Sequence, residues 1–96
     1  MKPSKIYQTH SEKIRSVVAE HRASNPRLFG SVLHGEDKEG SDLDILVDPS
    51  PEMSLMDIGA IRHKLKSLMG FPVDVLTPAA LPDRVRERVL QEARPI

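Results

Sequence analysis

The feature that most constrains this chain is the run Asp42-Leu43-Asp44-Ile45-Leu46-Val47. Side chains alternate across a strand, so in an extended segment Leu43, Ile45 and Val47 point one way while Asp42 and Asp44 point the other. The segment therefore predicts a central strand from Ser41 or Asp42 to Val47, closed by Asp48-Pro49, with two carboxylates on one face. A lone acid on a strand is commonly a solvated edge residue, and either aspartate by itself carries that reading at about even odds. The later run Val73-Asp74-Val75-Leu76 shifts the balance. An ionised carboxylate in an otherwise apolar strand costs several kcal/mol of desolvation unless it is paired. If the two strands are neighbours, three carboxylates converge, and unit charges ~4 Å apart repel by roughly 4 kcal/mol at an effective dielectric near 20. A cation among them relieves that cost. All-oxygen ligands suit Mg²⁺ or Mn²⁺ rather than zinc, and Mg²⁺ is usually held by one or two carboxylates together with substrate phosphates.

Around these strands the chain reads as one domain over residues 1–96, with residues 1–8 a loose arm. A T-x-x-E capping box at Thr9–Glu12 opens a first helix. Ile14, Val17, Val18 and His21 form its apolar stripe, and Asn25-Pro26 stops it. Arg27-Leu28-Phe29 is a short strand. Leu55, Ile58, Ile61, Leu65 and Leu68 keep helical spacing in a segment that opens at Ser54…Asp57 and ends at Gly70. After the strand Val73–Leu76, a last helix spans Pro82 to Glu92. Short strands separated by amphipathic helices imply an α/β (α+β) fold, a small mixed β-sheet with helices packed against it.

Gly30-Ser31 directly follows the first predicted strand. Glycine there lets the backbone approach a ligand, and exposed amides with a hydroxyl can hold phosphate oxygens. As a pair alone it is far more often an ordinary turn. Gly35 and Gly40 flank a charged stretch, Glu36 to Glu39, read as a mobile, solvated loop between that turn and the acidic strand.

Composition removes several alternatives. Lys plus Arg and Asp plus Glu stand at 14 each, so no overall field draws the chain to nucleic acid, and only three aromatic residues are available for base stacking. Direct nucleic-acid binding is therefore not expected. No run approaches the ~18 apolar residues of a membrane helix, residues 1–10 lack a signal-peptide centre, and there is no cysteine. A cytoplasmic location is the expectation. His10, His21, His34 and His63 have no metal-ligand spacing and are read as packed or surface residues. Met53, Met56 and Met69 are read as core or interface fillers, and Arg84, Arg86 and Arg88 as a mixed face that leans toward a partner surface.

The string Gly30-Ser31, ten residues, Asp42-Leu43-Asp44, then Asp74 resembles the polymerase-beta-type nucleotidyltransferase superfamily. More narrowly, Leu28-Phe29-Gly30-Ser31-Val32-Leu33-His34-Gly35, the Asp42 strand, Pro72–Pro78 and the Leu81–Ala93 tail look like the minimal nucleotidyltransferase (MNT) antitoxins paired with HEPN-domain toxins. The resemblance implies that Gly30 and Ser31 hold the triphosphate of ATP. It further implies that Asp42 and Asp44 bridge two Mg²⁺ ions and that Asp74 completes the metal site and activates the attacking hydroxyl. By the same resemblance the partner is a HEPN-domain toxin in a hetero-oligomer, and the activity is AMP transfer to a toxin hydroxyl, that of a tyrosine. At 96 residues the chain has no room for the acceptor-holding domain of larger superfamily members, so the acceptor is expected to bring its own surface. One departure is His34, which stands where many relatives carry Arg before the second glycine of the turn. Two other readings stay open: an antitoxin that acts by binding alone, and a nucleotidyltransferase for a small molecule or an RNA end.

Overall fold

The computed structural model describes residues 2–96. Its elements run α1 (Pro3–Ile6), a 3₁₀ turn (Tyr7–His10), α2 (Ser11–Glu20), β1 (Ala23–Phe29), β2 (Leu43–Pro49), α3 (Leu55–Met69), β3 (Val73–Leu76), a 3₁₀ turn (Pro78–Ala80), α4 (Asp83–Glu92) and β4 (Arg94–Pro95). The strands form one mixed sheet in the order β3-β2-β1-β4, with β2 and β3 parallel and the other pairs antiparallel. The expected α/β sandwich is therefore present, and the acidic strand β2 is central.

Leu43, Ile45 and Val47 on one face of β2 are fully buried in a core with Ile14 and Val18 of α2 and Ile61 and Leu65 of α3. Burying each such side chain contributes about 1.5–3 kcal/mol relative to leaving it exposed. This core lies on one side of the sheet; Asp44 projects from the other, a face it shares with the fully buried Leu46.

α3 begins and ends as its sequence demands. Asp57 reaches back to accept a hydrogen bond from the Ser54 amide at 3.0 Å, and Gly70 closes the helix in the left-handed conformation at φ 82°. His21 and Arg22 also approach the Asp57 carboxylate, at 3.6 and 3.7 Å. The Ser54 amide bond first, then the Arg22 charge and the His21 contacts, hold its pKa below the usual carboxylate range against the opposing effect of burial. A depressed pKa stabilises the fold above the unfolded value of 3.8 and loses that contribution as pH falls through the folded value. Asp57→Ala is accordingly expected to lower the melting temperature by several degrees at pH 7, with the gap to wild type narrowing as pH falls below 3.8; a gap independent of pH would assign the loss to packing.

Several expectations for the amino-terminal half are corrected. Residues read as a loose arm form α1 and the following 3₁₀ turn, because Pro3 is fully buried and the Ser4 amide donates to Asp37 Oδ2 at 2.9 Å. The same bond ties down the Glu36–Glu39 stretch, so Asp37 is a buried anchor rather than part of a solvated loop. Met1 lies outside the described residues. No capping box forms at Thr9: its hydroxyl donates to the Ile6 carbonyl, and α2 starts at Ser11. Asn25-Pro26 does not stop the helix. It forms an irregularity within β1, where the register with β2 shifts between Ser24 and Arg27 and Asn25 takes φ 53°. Asparagine tolerates that region, and a bulge accommodates a proline that a regular ladder would reject. β1 is thereby four residues longer at its start than Arg27–Phe29.

Candidate active site

The site is built by register. Asp44 of β2 lies opposite Asp74 of β3 in the parallel pair, and opposite Phe29, the last residue of β1, in the antiparallel pair. Asp42 stands just ahead of β2, since the strand starts at Leu43, whose amide donates to the Pro72 carbonyl at 3.0 Å. Asp42 and Asp74 are exposed while Asp44 is half-buried between its neighbours. Burial, then the charge of Asp74, then that of Asp42 push the Asp44 carboxyl up to about 6. Asp74 and Asp42 thus both lie within electrostatic reach of Asp44. A fourth acid in β2, Asp48, is taken out of the set by Arg27, whose guanidinium meets Asp48 Oδ1 at 2.6 Å.

Gly30 follows Phe29 directly and is carried over the Asp44 carboxylate. A Cβ at Gly30 would collide with Asp44 Oδ2, and the residue has φ 78°, so both space and backbone demand glycine. Beyond it the chain curls into a tight turn in which the His34 amide donates to the Gly30 carbonyl and the Glu36 amide to the Ser31 carbonyl. The buried Val32 pins this turn to the core. Among the described residues, the amides of Ser31, Val32 and Leu33 and the Ser31 hydroxyl have no protein acceptor or donor. Such a row of free donors can hold an anion. His34 faces Glu92 of α4, with Nε2 3.2 Å from a carboxylate oxygen, so this side chain is engaged by the chain's own tail.

The donor set bears on what could bind. Among the described residues no three His, Cys, Asp or Glu side chains cage a metal by themselves. Two or three carboxylates in an all-oxygen setting instead suit Mg²⁺ completed by phosphate oxygens. Burial of Asp44, with Asp74 and Asp42 beside it, disfavours its ionised form, a cost that a divalent cation would relieve, so the residues fit such an ion.

Sequence reasoning thus named the residues that the sheet brings together: Gly30 against Asp44, Asp44 beside Asp74, and Asp42 at the same end of β2. It passed over Arg62 and Lys66 of α3, which with His63 line a cavity shared with Asp74. Their i, i+4 spacing on the exposed side of an otherwise apolar stripe was the available signal.

The same fold is found in known proteins. The model of the nucleotidyltransferase domain family matches residues 11–96. A protein of Methanocaldococcus jannaschii provisionally named a protein adenylyltransferase is 36% identical over 81 residues, covering 84% of this chain and 87% of that one. Protein adenylyltransferase MntA of Thermococcus cleftensis is 33% identical over 89 residues, covering 84% and 90%. The structure of a protein provisionally described as a minimal nucleotidyltransferase superposes with a TM-score of 0.86 at 38% identity, over 97% of this chain and 95% of the other. A toxin-antitoxin crystal structure with AMP-PNP shares the fold, with a TM-score of 0.74 at 21% identity over 88% of this chain and 70% of that one. No helix among the described residues is long and apolar enough to cross a membrane.

Proposed function

Because the chain belongs to the nucleotidyltransferase domain family, we propose that it is an antitoxin that transfers AMP from ATP to a tyrosine hydroxyl of a cognate HEPN ribonuclease toxin. The observation that carries the transfer chemistry is the placement of Gly30 over Asp44, with Asp74 directly across the sheet. Relatives named protein adenylyltransferase support a protein acceptor, and the shared fold of toxin-antitoxin complexes is consistent with a toxin as that acceptor. The HEPN identity and the tyrosine rest on the motif resemblance of the Gly30 and Asp42 segments.

In this reading the free amides after Gly30 and the Ser31 hydroxyl hold the β- and γ-phosphates. Asp42, Asp44 and Asp74 would hold Mg²⁺, which would neutralise charge that develops on the leaving pyrophosphate. The acceptor oxygen attacks the α-phosphorus in line, a new P–O bond forms, and the bond to the β-phosphate oxygen breaks. The hydroxyl proton passes to the exposed Asp74 carboxylate and on to solvent, while pyrophosphate leaves. Positioning and electrostatics supply most of the rate in such transfers. An AMP phosphodiester on the toxin adds negative charge and bulk where RNA phosphates must bind, which is the electrostatic logic of phosphorylation.

Intact-mass spectrometry of the protein encoded beside this one, after incubation with this chain, ATP and Mg²⁺, tests the proposal. A mass increase in AMP units with wild type and none with Asp42→Ala/Asp44→Ala is expected. Stable binding that inactivates an unmodified toxin would instead establish the contact-only antitoxin. Labelling of an RNA end or a small hydroxylated molecule, with no labelled protein, would move the acceptor to that class.

A further inference from the structure

Among the described residues, Asp37 is the only buried one between His34 and Gly40, in a loop whose other members are exposed. A surface loop has no need of an enclosed carboxylate, and an ionised one is costly unless it is hydrogen-bonded. Asp37 meets that condition through α1. The Ser4 amide donates to its Oδ2 at 2.9 Å. That bond first, then the Ser4 hydroxyl, the amide of Asp37 itself and the Lys2 charge, hold its pKa below the usual carboxylate range against the effect of burial. α1 is in turn a firm mount, since Pro3 is fully buried and Ile6 packs against the main core.

The place of this anchor in the chain gives it a role. Upstream, the phosphate turn is closed by bonds from the His34 amide to the Gly30 carbonyl and from the Glu36 amide to the Ser31 carbonyl. Downstream, Lys38 and Ser41 close a second turn: the Lys38 amide donates to Ser41 Oγ at 2.8 Å and the Ser41 amide to the Lys38 carbonyl at 3.0 Å. Asp37 is the single residue between the two. The first turn carries the free amides of Ser31, Val32 and Leu33, and the second leads directly into Asp42. Asp42 lies ahead of the β2 ladder, and among the described residues its side chain has no hydrogen bond or ion pair. Its carboxylate is therefore placed by the loop before it and by the start of β2. Two closed turns joined at one residue swing as that residue moves, and the bond to Ser4 removes that freedom. An apolar side chain could also be buried there, but a directional bond fixes orientation as well as depth.

We propose that Asp37 is a positioning residue for nucleotide binding: anchored to α1, it fixes the phosphate turn relative to Asp42 so that both grip the same Mg²⁺-bound triphosphate. The inference rests on the transfer reading for what is positioned. Asp37 acts through those two elements and does not itself contact the nucleotide.

The test is isothermal titration calorimetry of the full chain with AMP-PNP and Mg²⁺, at a temperature where wild type and variants are folded. Asp37→Ala, which leaves the Ser4 amide without its acceptor, is expected to weaken binding at least about tenfold. Asp37→Asn keeps an acceptor oxygen in the same place and should bind within about threefold of wild type. Asp37→Glu keeps the charge but lengthens the side chain by one methylene. It should bind as weakly as Asp37→Ala, and it carries the test should that variant not fold. Asp57→Ala, weakened at the start of α3, is the control for a general loss of stability and should keep wild-type affinity. Wild-type affinity in Asp37→Ala or Asp37→Glu would overturn the proposal. So would Asp37→Asn binding as weakly as Asp37→Ala, which would assign the effect to charge. Failure of the transfer reading looks different: Asp37 controls AMP-PNP affinity as described, yet no protein gains AMP in the presence of ATP and Mg²⁺. A wild type that binds no AMP-PNP would overturn both.

Discussion

Asp44→Asn is expected to abolish AMP transfer by at least about a thousandfold while making the protein more stable at pH 8. The two effects have one cause. Burial beside Asp74 and Asp42 pushes the Asp44 carboxyl up from 3.8 to about 6. A group whose folded pKa lies above its unfolded one contributes stability that is complete below pH 3.8 and lost as pH rises through about 6. At pH 8 the native state therefore carries an unrelieved charge. A shift of this size is worth close to 3 kcal/mol for a fully desolvated group, and solvent screening of a half-buried carboxylate reduces it to about 1–2 kcal/mol. Asparagine keeps the shape and removes the charge, so the gain should appear in a denaturant melt at pH 8 and vanish near pH 4. Mg²⁺ should raise the wild-type melting temperature at pH 8 by linkage and leave that of Asp44→Asn nearly unchanged. A variant no more stable than wild type at pH 8 would show that burial and the neighbouring charges do not penalise the Asp44 carboxylate as described.

Gly30→Ala should be the most damaging glycine substitution in the chain. The new methyl meets Asp44 Oδ2 directly, and the alanine must also hold φ 78°. The left-handed backbone alone costs roughly 1 kcal/mol for a residue with a Cβ. Displacing the central carboxylate should add at least about a hundredfold loss of transfer, since an error near 1 Å in a reacting geometry has that scale of effect. Gly35→Ala is the control. It has φ 69° but nothing within 4 Å of its Cβ, so it bears the backbone cost without the collision. Similar melting losses with a wide gap in activity would separate the two contributions, whereas equal activity in both variants would deny Gly30 its place against Asp44.

The elements that were legible share a trait: their boundaries are set by residues close in sequence. α3 runs between Ser54 with Asp57 and the left-handed Gly70, and β3 is bounded by its own apolar pattern. What went unseen depends on distant partners. α1 exists because Pro3 finds a burial site and Ser4 finds Asp37, thirty-three residues away. The bulge at Asn25-Pro26 is stabilised by contacts with Asp48 and Ile96. β4 is two residues long and has no pattern to read; it is a strand only because β1 lies beside it.

The same division runs through the site. Alternation within Asp42–Val47 by itself determined that two carboxylates leave the core, a consequence of local chain geometry that any extended segment obeys. The apolar neighbours of Asp74 led to the expectation of a desolvated charge, whereas on the edge strand Asp74 is exposed. Only the tertiary structure decided that β3 pairs with β2 in the register that sets Asp74 against Asp44, and that Gly30 closes over the Asp44 carboxylate. Register between strands is chosen by the whole buried face at once, because sliding β3 by one residue would exchange Val73 and Val75 for Asp74 in the core.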